Sequence, residues 1–167
     1  VGSFFGRGEM ADASGTLRES LLVNLCTALM VMLPLTWLYF HIELLNQPVE
    51  LIPVARPYFL AILLSLPFLS VFNTFKQFSD ALGETRMPMW VMLAANALNI
   101  VLNIPLIFGC PVIGIPPLGL LGAGIATLAS RVFMAVAMGA LVFFHKVYRP
   151  VVGIPGHVTL RGVWRLW

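Results

Sequence analysis

The sequence predicts an all-α polytopic membrane protein that crosses the bilayer four times. Of its 167 residues, 59% are hydrophobic and only 10% are charged, whereas a soluble domain carries about 25% charged residues. A chain with so little charge cannot cover a water-facing surface, and disordered chains are more polar still. Composition therefore excludes a soluble globular enzyme and a disordered chain, and it leaves the lipid bilayer as the partner of the apolar surface.

Four apolar stretches are long enough to span a membrane. A spanning helix needs about 20 residues, and the uncharged stretch over residues 87–130 is divided by the turn residues Gly109-Cys110-Pro111. Helices are predicted because a β-barrel would instead show alternating strands of about ten residues. The predicted helices cover residues 20–42, 57–77, 87–108 and 118–145.

The distribution of basic residues predicts that both ends of this chain are cytoplasmic. With four spans, eight Lys and Arg residues fall on the side of the two ends, and Arg56 alone falls in a loop on the other side. Positive charge accumulates on the cytoplasmic side of membrane proteins, so we expect an integral protein of the plasma (inner) membrane. The basic residues then lie beside anionic headgroups, and no nucleic-acid partner is expected.

The acidic residues restrict the possible mechanism. All seven Asp and Glu residues lie in predicted loops or at helix ends, so this segment lacks the intramembrane carboxylate that usually carries protons or cations. Membrane proteases and lipid-phosphate transferases need catalytic sets that the sequence does not contain. We therefore expect no enzymatic activity and no cofactor, and no His or Cys group has the spacing of a metal site.

Amide side chains follow one face of the third helix. Asn96, Asn99 and Asn103 are spaced by three and four residues, which places them on the same helical face. An amide in hydrocarbon is costly unless it is hydrogen-bonded, so this face must meet protein or a water-filled cavity. Two interpretations remain open, hydrogen bonds between helices or the wall of a substrate or cation pathway. The same alternatives apply to Asn73 and Gln77 near the cytoplasmic end of the second helix.

The fourth helix combines small residues with one charge. Small residues four positions apart, such as Gly122 and Ala126, let a neighbouring helix approach closely. Arg131 lies near the middle of the helix on the same face as Gly124 and Thr127. A central arginine costs about 2.5–3.5 kcal/mol on insertion, which the apolar residues of the helix offset. We expect its guanidinium to point toward a neighbouring helix or cavity as part of a pathway, or else to cap carbonyls or reach the headgroups.

Several short motifs occur in a fixed order along the chain. They are Pro57-Tyr58 at the start of a predicted helix, Leu66-Pro67-Phe68, the cytoplasmic turn Asp80-Ala-Leu-Gly83-Glu84-Thr85-Arg86, the stretch from Asn96 to Gly109, and the stretch from Leu118 to Arg131. In this order and topology the motifs resemble those of the multidrug and toxic compound extrusion (MATE) transporters. The resemblance covers about residues 1–145.

The resemblance implies that the four helices are helices three to six in the N-terminal six-helix lobe of a twelve-helix transporter. Residues 146–167 would then begin the cytoplasmic linker between the lobes. It also implies export of amphipathic, often cationic drugs and toxins by alternating access, coupled to proton or sodium entry. In proton-coupled relatives, the positions of Asn99 and Asn103 help to form a cation site. The implied partners are the amphipathic substrate, the bilayer and the remaining helices of the full-length chain.

Two other classes of protein remain open. A lipid-linked oligosaccharide flippase of the same superfamily also uses a basic cavity, which Arg131 would fit. A non-transporting membrane scaffold predicts that the amide faces contact helices and line no cavity. The Gly83-Glu84-Thr85-Arg86 turn favours a MATE transporter over the flippase.

Overall fold

Four long helices and one short 3₁₀ helix form the bundle. A computed structural model describes residues 10–45, 50–110, 114, 116–144 and 148. The long helices are α1 (Met10–Phe40), α2 (Ile52–Ala81), α3 (Arg86–Phe108) and α4 (Leu120–Phe144), and the 3₁₀ helix Ile42–Leu45 follows α1. All four long helices have the length and apolar composition to cross a membrane. The predicted all-α membrane fold is confirmed, and the predicted linker lies outside the described residues except for Tyr148.

Two helices begin earlier than the sequence predicted. α1 begins at Met10 and not near residue 20, because the charges of Arg18 and Glu19 limit the membrane span but do not end a helix. α2 begins at Ile52 with a proline in its first turn, where the missing N–H costs no hydrogen bond. Pro57-Tyr58 therefore lies inside α2 and does not open it. α3 and α4 begin close to their predicted positions.

α4 is the packing partner that α2 and α3 share. α2 packs against α1 on one side and α4 on the other, while α3 packs on α4 and scarcely touches α2. Asn24 of α1 contacts Thr74 of α2, and Tyr39 stacks on Phe59 with ring centroids 6.3 Å apart. These pairs show that α1 and α2 run antiparallel, as consecutive spans must.

Large apolar side chains form the core at one end of the bundle. The last turns of α2 and α4 and the first turns of α3 supply most of it, and Met138 and Val142 are fully buried. Lipid is as apolar as these side chains, so close packing, more than exclusion from water, stabilises this end. We call these residues the core cluster: Leu17, Phe72, Phe75, Phe78, Val91, Met138, Val142 and Tyr148.

A Schellman turn ends α2 beside the core cluster. The backbone N–H of Glu84 donates to the carbonyl of Ser79 at 3.0 Å, and that of Gly83 donates to Asp80 at 3.0 Å. Gly83 has φ +80, a conformation that glycine adopts without steric cost. The Ser79 hydroxyl donates to the Glu84 carbonyl at 2.5 Å and accepts from the Tyr148 hydroxyl at 2.5 Å. The turn therefore fixes the buried tyrosine that follows α4, and burial raises the pKa of Tyr148 above its ordinary value of 10.0.

Glycines bring α4 close to both of its neighbours at the opposite end. A Cβ on Gly122 would overlap the backbone carbonyl group of Leu106 on α3. A Cβ on Gly124 would lie 3.0 Å from the Cβ of Ala61 on α2. The backbone N–H of Leu118 donates to the Leu106 carbonyl at 3.0 Å, which satisfies one of the last carbonyls of α3. We call this region the glycine end, and it has the close helix approach that the small residues predicted.

Candidate functional site

Arg131 meets Ser65 halfway along the bundle. Arg131 lies eleven residues after the first residue of α4 and thirteen before its last, so it is roughly 16 Å or more from either end. Its Nη1 donates to Ser65 Oγ at 2.5 Å. Ser65 is fully buried, and its hydroxyl donates to the carbonyl of Ile62 at 2.5 Å. The oxygen of Ser65 is thus oriented to accept from Arg131, and the prediction that the guanidinium points toward a neighbouring helix is confirmed.

The charge of Arg131 has no carboxylate partner among the residues that the structure describes. A guanidinium stays protonated in proteins and carries five N–H donors, of which the Ser65 bond uses one. Of the acidic side chains in the described ranges, Glu19 lies in the third turn of α1, inside a helix and not at its end as the sequence predicted, and the others lie near helix ends or in the turns between helices. A positive charge with free donors therefore remains halfway along the bundle.

Asn99 and Asn103 form an amide pair on α3. The Nδ2 of Asn103 donates to Oδ1 of Asn99 at 3.0 Å. The Oδ1 of Asn103 is buried and accepts no hydrogen bond in the described part of the chain. A buried carbonyl oxygen without a donor is costly, so this atom is set up to bind a cation, a water molecule or a donor from another segment.

The amide pair lies at the level of Thr127 along the bundle axis. α3 and α4 run antiparallel and come closest where Leu106 meets Gly122. Counted from this contact in both helices, the two amides lie on either side of the level of Thr127, and Arg131 lies one turn further toward the core cluster. The amide pair and Arg131 therefore occupy neighbouring levels, although no hydrogen bond joins them.

The remaining predicted site residues belong to neither arrangement. The Thr127 hydroxyl donates to the carbonyl of Ala123 at 2.9 Å, a bond within its own helix. Asn73, Gln77 and Asn96 are exposed on the described bundle and form no hydrogen bond with other described side chains. An amide on a spanning helix needs a polar partner, so the pathway role of these three stays a prediction that depends on the rest of the protein.

The two arrangements differ in the ligands that they suit. The unpaired Oδ1 of Asn103 is a hard oxygen ligand, of the kind that binds small cations. The guanidinium of Arg131 suits carboxylate and phosphate oxygens. Within the described ranges, no group of three or more His, Cys, Asp or Glu residues is placed to hold a metal ion.

A comparison with known protein families assigns the chain. The MatE family model matches residues 1–104, which is more than half of the sequence and includes α1, α2 and the amide pair of α3. The chain belongs to the MatE family. The resemblance inferred from the sequence motifs is therefore confirmed.

Curated MatE-type relatives extend the similarity beyond the matched region. The chain is 31% identical over 151 residues to a probable multidrug resistance protein NorM of Aromatoleum aromaticum, covering 90% of this chain and 32% of the relative. It is 29% identical over 166 residues to a protein of the same name from Pseudomonas putida, covering 96% of this chain and 36% of the relative. The chain thus spans about a third of the length of the curated relatives it matches. No solved structure matches the chain.

A polar network that the sequence patterns above did not predict joins α1 to α2 in this MatE chain. The Nδ2 of Asn24 donates to Thr74 Oγ1 at 2.9 Å, and Ser70 Oγ donates to the Asn24 carbonyl at 2.8 Å. Asn24 is an amide within an uncharged stretch, so the argument applied to Asn99 would have found it. Ser65 gave no such signal, because serine in an apolar helix commonly bonds its own backbone.

Proposed function

We propose that the full-length protein exports amphipathic drugs and toxins by alternating access, driven by entry of a proton or sodium ion. Membership of the MatE family supports this proposal, as do relatives named for multidrug resistance. The proposal places the protein in the plasma (inner) membrane with both ends of this segment cytoplasmic, on the evidence of its basic residues. The described segment supplies one set of helices, and alternating access requires a second set that moves against it.

The observation that carries the proposal is the unpaired Oδ1 of Asn103. It is buried beside Asn99, whose own Oδ1 is held by the Nδ2 of Asn103. Two amides fixed in this way present an oxygen ligand without further rearrangement, and sites near mid-membrane are usual in transporters. The amide pair lies within the second half of α3, away from both of its ends.

The chemistry of amides limits the role that we assign to the pair. An amide provides a carbonyl oxygen for a cation but does not exchange a proton near neutral pH. We therefore propose that Asn99 and Asn103 help to bind the coupling ion. If that ion is a proton, a titratable group on the remaining helices carries it.

Leucine substitutions test this assignment in the full-length protein. Asn99→Leu and Asn103→Leu should each lower ion-driven export of a cationic dye from proteoliposomes at least tenfold. Insertion and expression should be unchanged, since lipid tolerates leucine better than asparagine. Ile104→Leu, on the exposed side of the same helix, serves as the control. Wild-type export by both leucine variants would show that the amides only hold helices together.

An aspartate at position 103 provides a second measurement. Asn103→Asp introduces a titratable carboxylate beside Asn99 within α3, so export by this variant should vary more with pH than export by the wild type. A pH profile as flat as that of the wild type would contradict a place for Asn103 in the ion pathway.

A lipid-linked oligosaccharide flippase is the second candidate, and the charge of Arg131 is the observation that favours it. A flippase would bind a polyprenyl-phosphate lipid and would export no cationic dye. The dye measurement on the wild-type protein therefore distinguishes the two functions before any variant is made.

A further inference from the structure

We propose that Arg131, oriented by Ser65, binds a carboxylate in the full-length transporter. The inference rests on the proposed export function, and it names a chemical group that the export function alone does not require. The carboxylate belongs either to the transported molecule or to a residue on the remaining helices. Both sources supply the same chemistry, and the experiment below separates them.

The position of Arg131 favours an anionic partner. Ionisable groups halfway through a membrane are retained when they pair with an opposite charge or face a polar cavity. The Ser65 hydroxyl is neutral and accepts a single hydrogen bond from Nη1. No acidic side chain in the described ranges pairs with Arg131, so the compensating charge comes from outside them.

The structure disfavours the two simpler roles for this arginine. Arg131 lies roughly 16 Å or more from each end of α4, which is further than an arginine side chain reaches, so the guanidinium does not extend to the headgroups. Its Nη1 donates to the Ser65 hydroxyl and not to a backbone carbonyl. The side chain is also directed between α2 and α4, the most closely packed pair of helices.

The donors that remain on Arg131 match a carboxylate. With Nη1 held by Ser65, the N–H groups of Nε and Nη2 form a parallel pair that suits bidentate binding of a carboxylate. One carboxylate balances one guanidinium, whereas a phosphate monoester carries a charge of about −1.5 to −2 and would leave a net negative charge. The site therefore favours a carboxylate over a phosphate.

The neighbouring amide pair suggests how a zwitterionic substrate would bind. The free oxygen of Asn103 attracts a cationic group at the level of Thr127, and Arg131 lies one turn further along the bundle. When the coupling ion has left the amides, a molecule with both charges would place its ammonium or delocalised cation toward them and its carboxylate on Arg131. A substrate with only a cation gains nothing from the arginine.

The test uses the full-length protein in proteoliposomes and two matched probes, a rhodamine with a free carboxylate and its methyl ester. Arg131→Gln removes the charge, Arg131→Lys keeps it, and Ser65→Ala removes the orienting hydroxyl. Arg56→Gln is the control, since it removes an equal charge near the start of α2. Export of each probe and the melting temperature of the purified protein are measured for every variant.

If the carboxylate belongs to the substrate, the variants should impair export of the free acid and not of the ester. Arg131→Gln should raise the KM for the free acid at least tenfold and leave the ester unchanged, with a smaller rise for Ser65→Ala. A carboxylate on the remaining helices instead predicts that Arg131→Gln lowers the melting temperature and the export of both probes, and that Arg131→Lys restores both.

The proposal is overturned if Arg131→Gln matches the wild type in both probes and in melting temperature. It is also overturned if Arg131→Gln impairs export of the free acid and of the ester equally and leaves the melting temperature unchanged, because the loss would then not depend on a carboxylate. Failure of the proposed export function is seen separately, as a wild-type protein that exports neither probe. In that case the melting temperatures of the Gln and Lys variants still decide whether Arg131 pairs with a carboxylate of the protein.

Discussion

The two ends of the bundle are held together by opposite kinds of side chain. At the core cluster, large residues such as Phe75 and Met138 fill the space between helices. At the glycine end, α4 meets the backbone of α3 at Gly122 and comes within 3.0 Å of the Ala61 Cβ of α2 at Gly124. In lipid the large side chains gain little from leaving water, so both ends depend on fit. The difference is that the atoms nearest a Cβ on Gly122 all belong to the backbone, whereas those nearest a Cβ on Gly139 belong to the Phe75 side chain.

Hydrogen-bonded polar groups lie between these two ends. Ser65 with Arg131 joins α2 to α4, and the amide pair belongs to α3. At each end, packing sets the spacing of the helices. In the middle, Arg131 has unused N–H donors and the Oδ1 of Asn103 accepts no hydrogen bond from the described residues. The proposed ligand site in the middle therefore lies between two closely packed regions of different design.

Adding one methyl group at the glycine end should have the largest effect on stability. In Gly122→Ala the new Cβ overlaps the Leu106 backbone, and the resulting shift of α3 should cost about 1–3 kcal/mol. Thermal melting of the full-length protein in detergent measures this loss.

Gly139→Ala is the matched control from the same helix near the core cluster. Its Cβ would lie 3.4 Å from Cε2 of Phe75, an ordinary contact with a side chain, and alanine favours the helix by up to about 1 kcal/mol. Gly139→Ala should therefore melt at or above the wild-type temperature. Equal losses for the two variants would refute the contrast between the ends.

Removing the Tyr148 hydroxyl should have an intermediate effect. Tyr148→Phe keeps the ring in the core cluster but loses the 2.5 Å bond to Ser79, for a loss of about 0.5–1.5 kcal/mol in the free energy of unfolding. Tyr39→Phe is the control, since the Tyr39 hydroxyl forms no hydrogen bond with the described residues. Chemical denaturation of the full-length protein should show a loss for position 148 alone.

The same tyrosine gives stability a defined pH dependence. Burial raises the pKa of Tyr148 above 10.0, so the unfolded chain loses this proton at a lower pH than the folded protein does. Its contribution is fully present below about pH 10 and is lost as the pH rises through the raised folded value. Alkaline melting curves should therefore fall more steeply for the wild type than for Tyr148→Phe, and parallel curves would contradict a buried hydroxyl.

Breaking the ion pair near the start of α2 should have the smallest effect. Glu43 and Arg56 are 3.9 Å apart, with side chains 76% and 42% exposed, and exposed pairs contribute about 0–1 kcal/mol. Glu43→Gln should change the free energy of unfolding by less than about 0.5 kcal/mol. If Glu43→Gln lowered the free energy of unfolding as much as Gly122→Ala does, the glycine end would be stabilised by charge and not by backbone contact.

The helices could be predicted because membrane spanning depends on length and on the absence of charge, which are both visible in the sequence. The start of α1 could not, since Arg18 and Glu19 mark the edge of the span and a helix continues past it. The sequence predicted Pro57 at a helix start, because proline is common in the first turn of a helix. In the structure, Pro53 is the proline in the first turn of α2. The positions of charged residues therefore predict the limits of the membrane span better than they predict the end of a helix.

The hydrogen-bonded amide pair could be predicted from the sequence, but the pairing of Arg131 with Ser65 could not. The face shared by Arg131, Gly124 and Thr127 gave the direction of the guanidinium correctly. Its partner Ser65 is 66 residues away, and no local pattern distinguishes that serine from others in apolar helices. Asn99 and Asn103 are one turn apart, so their bond follows from helix geometry alone.

The separation of α3 from α2 has a consequence for the order in which the chain is made. α3 packs on α4 and scarcely on α2, so when α3 leaves the ribosome its packing partner has not yet emerged. Roughly 36 more residues complete α4, which takes about 2–7 s at ordinary translation speed. During that interval the hydrogen bond between Asn103 and Asn99 needs no other helix. One N–H and one carbonyl of the amide pair therefore have a partner in lipid before α4 arrives.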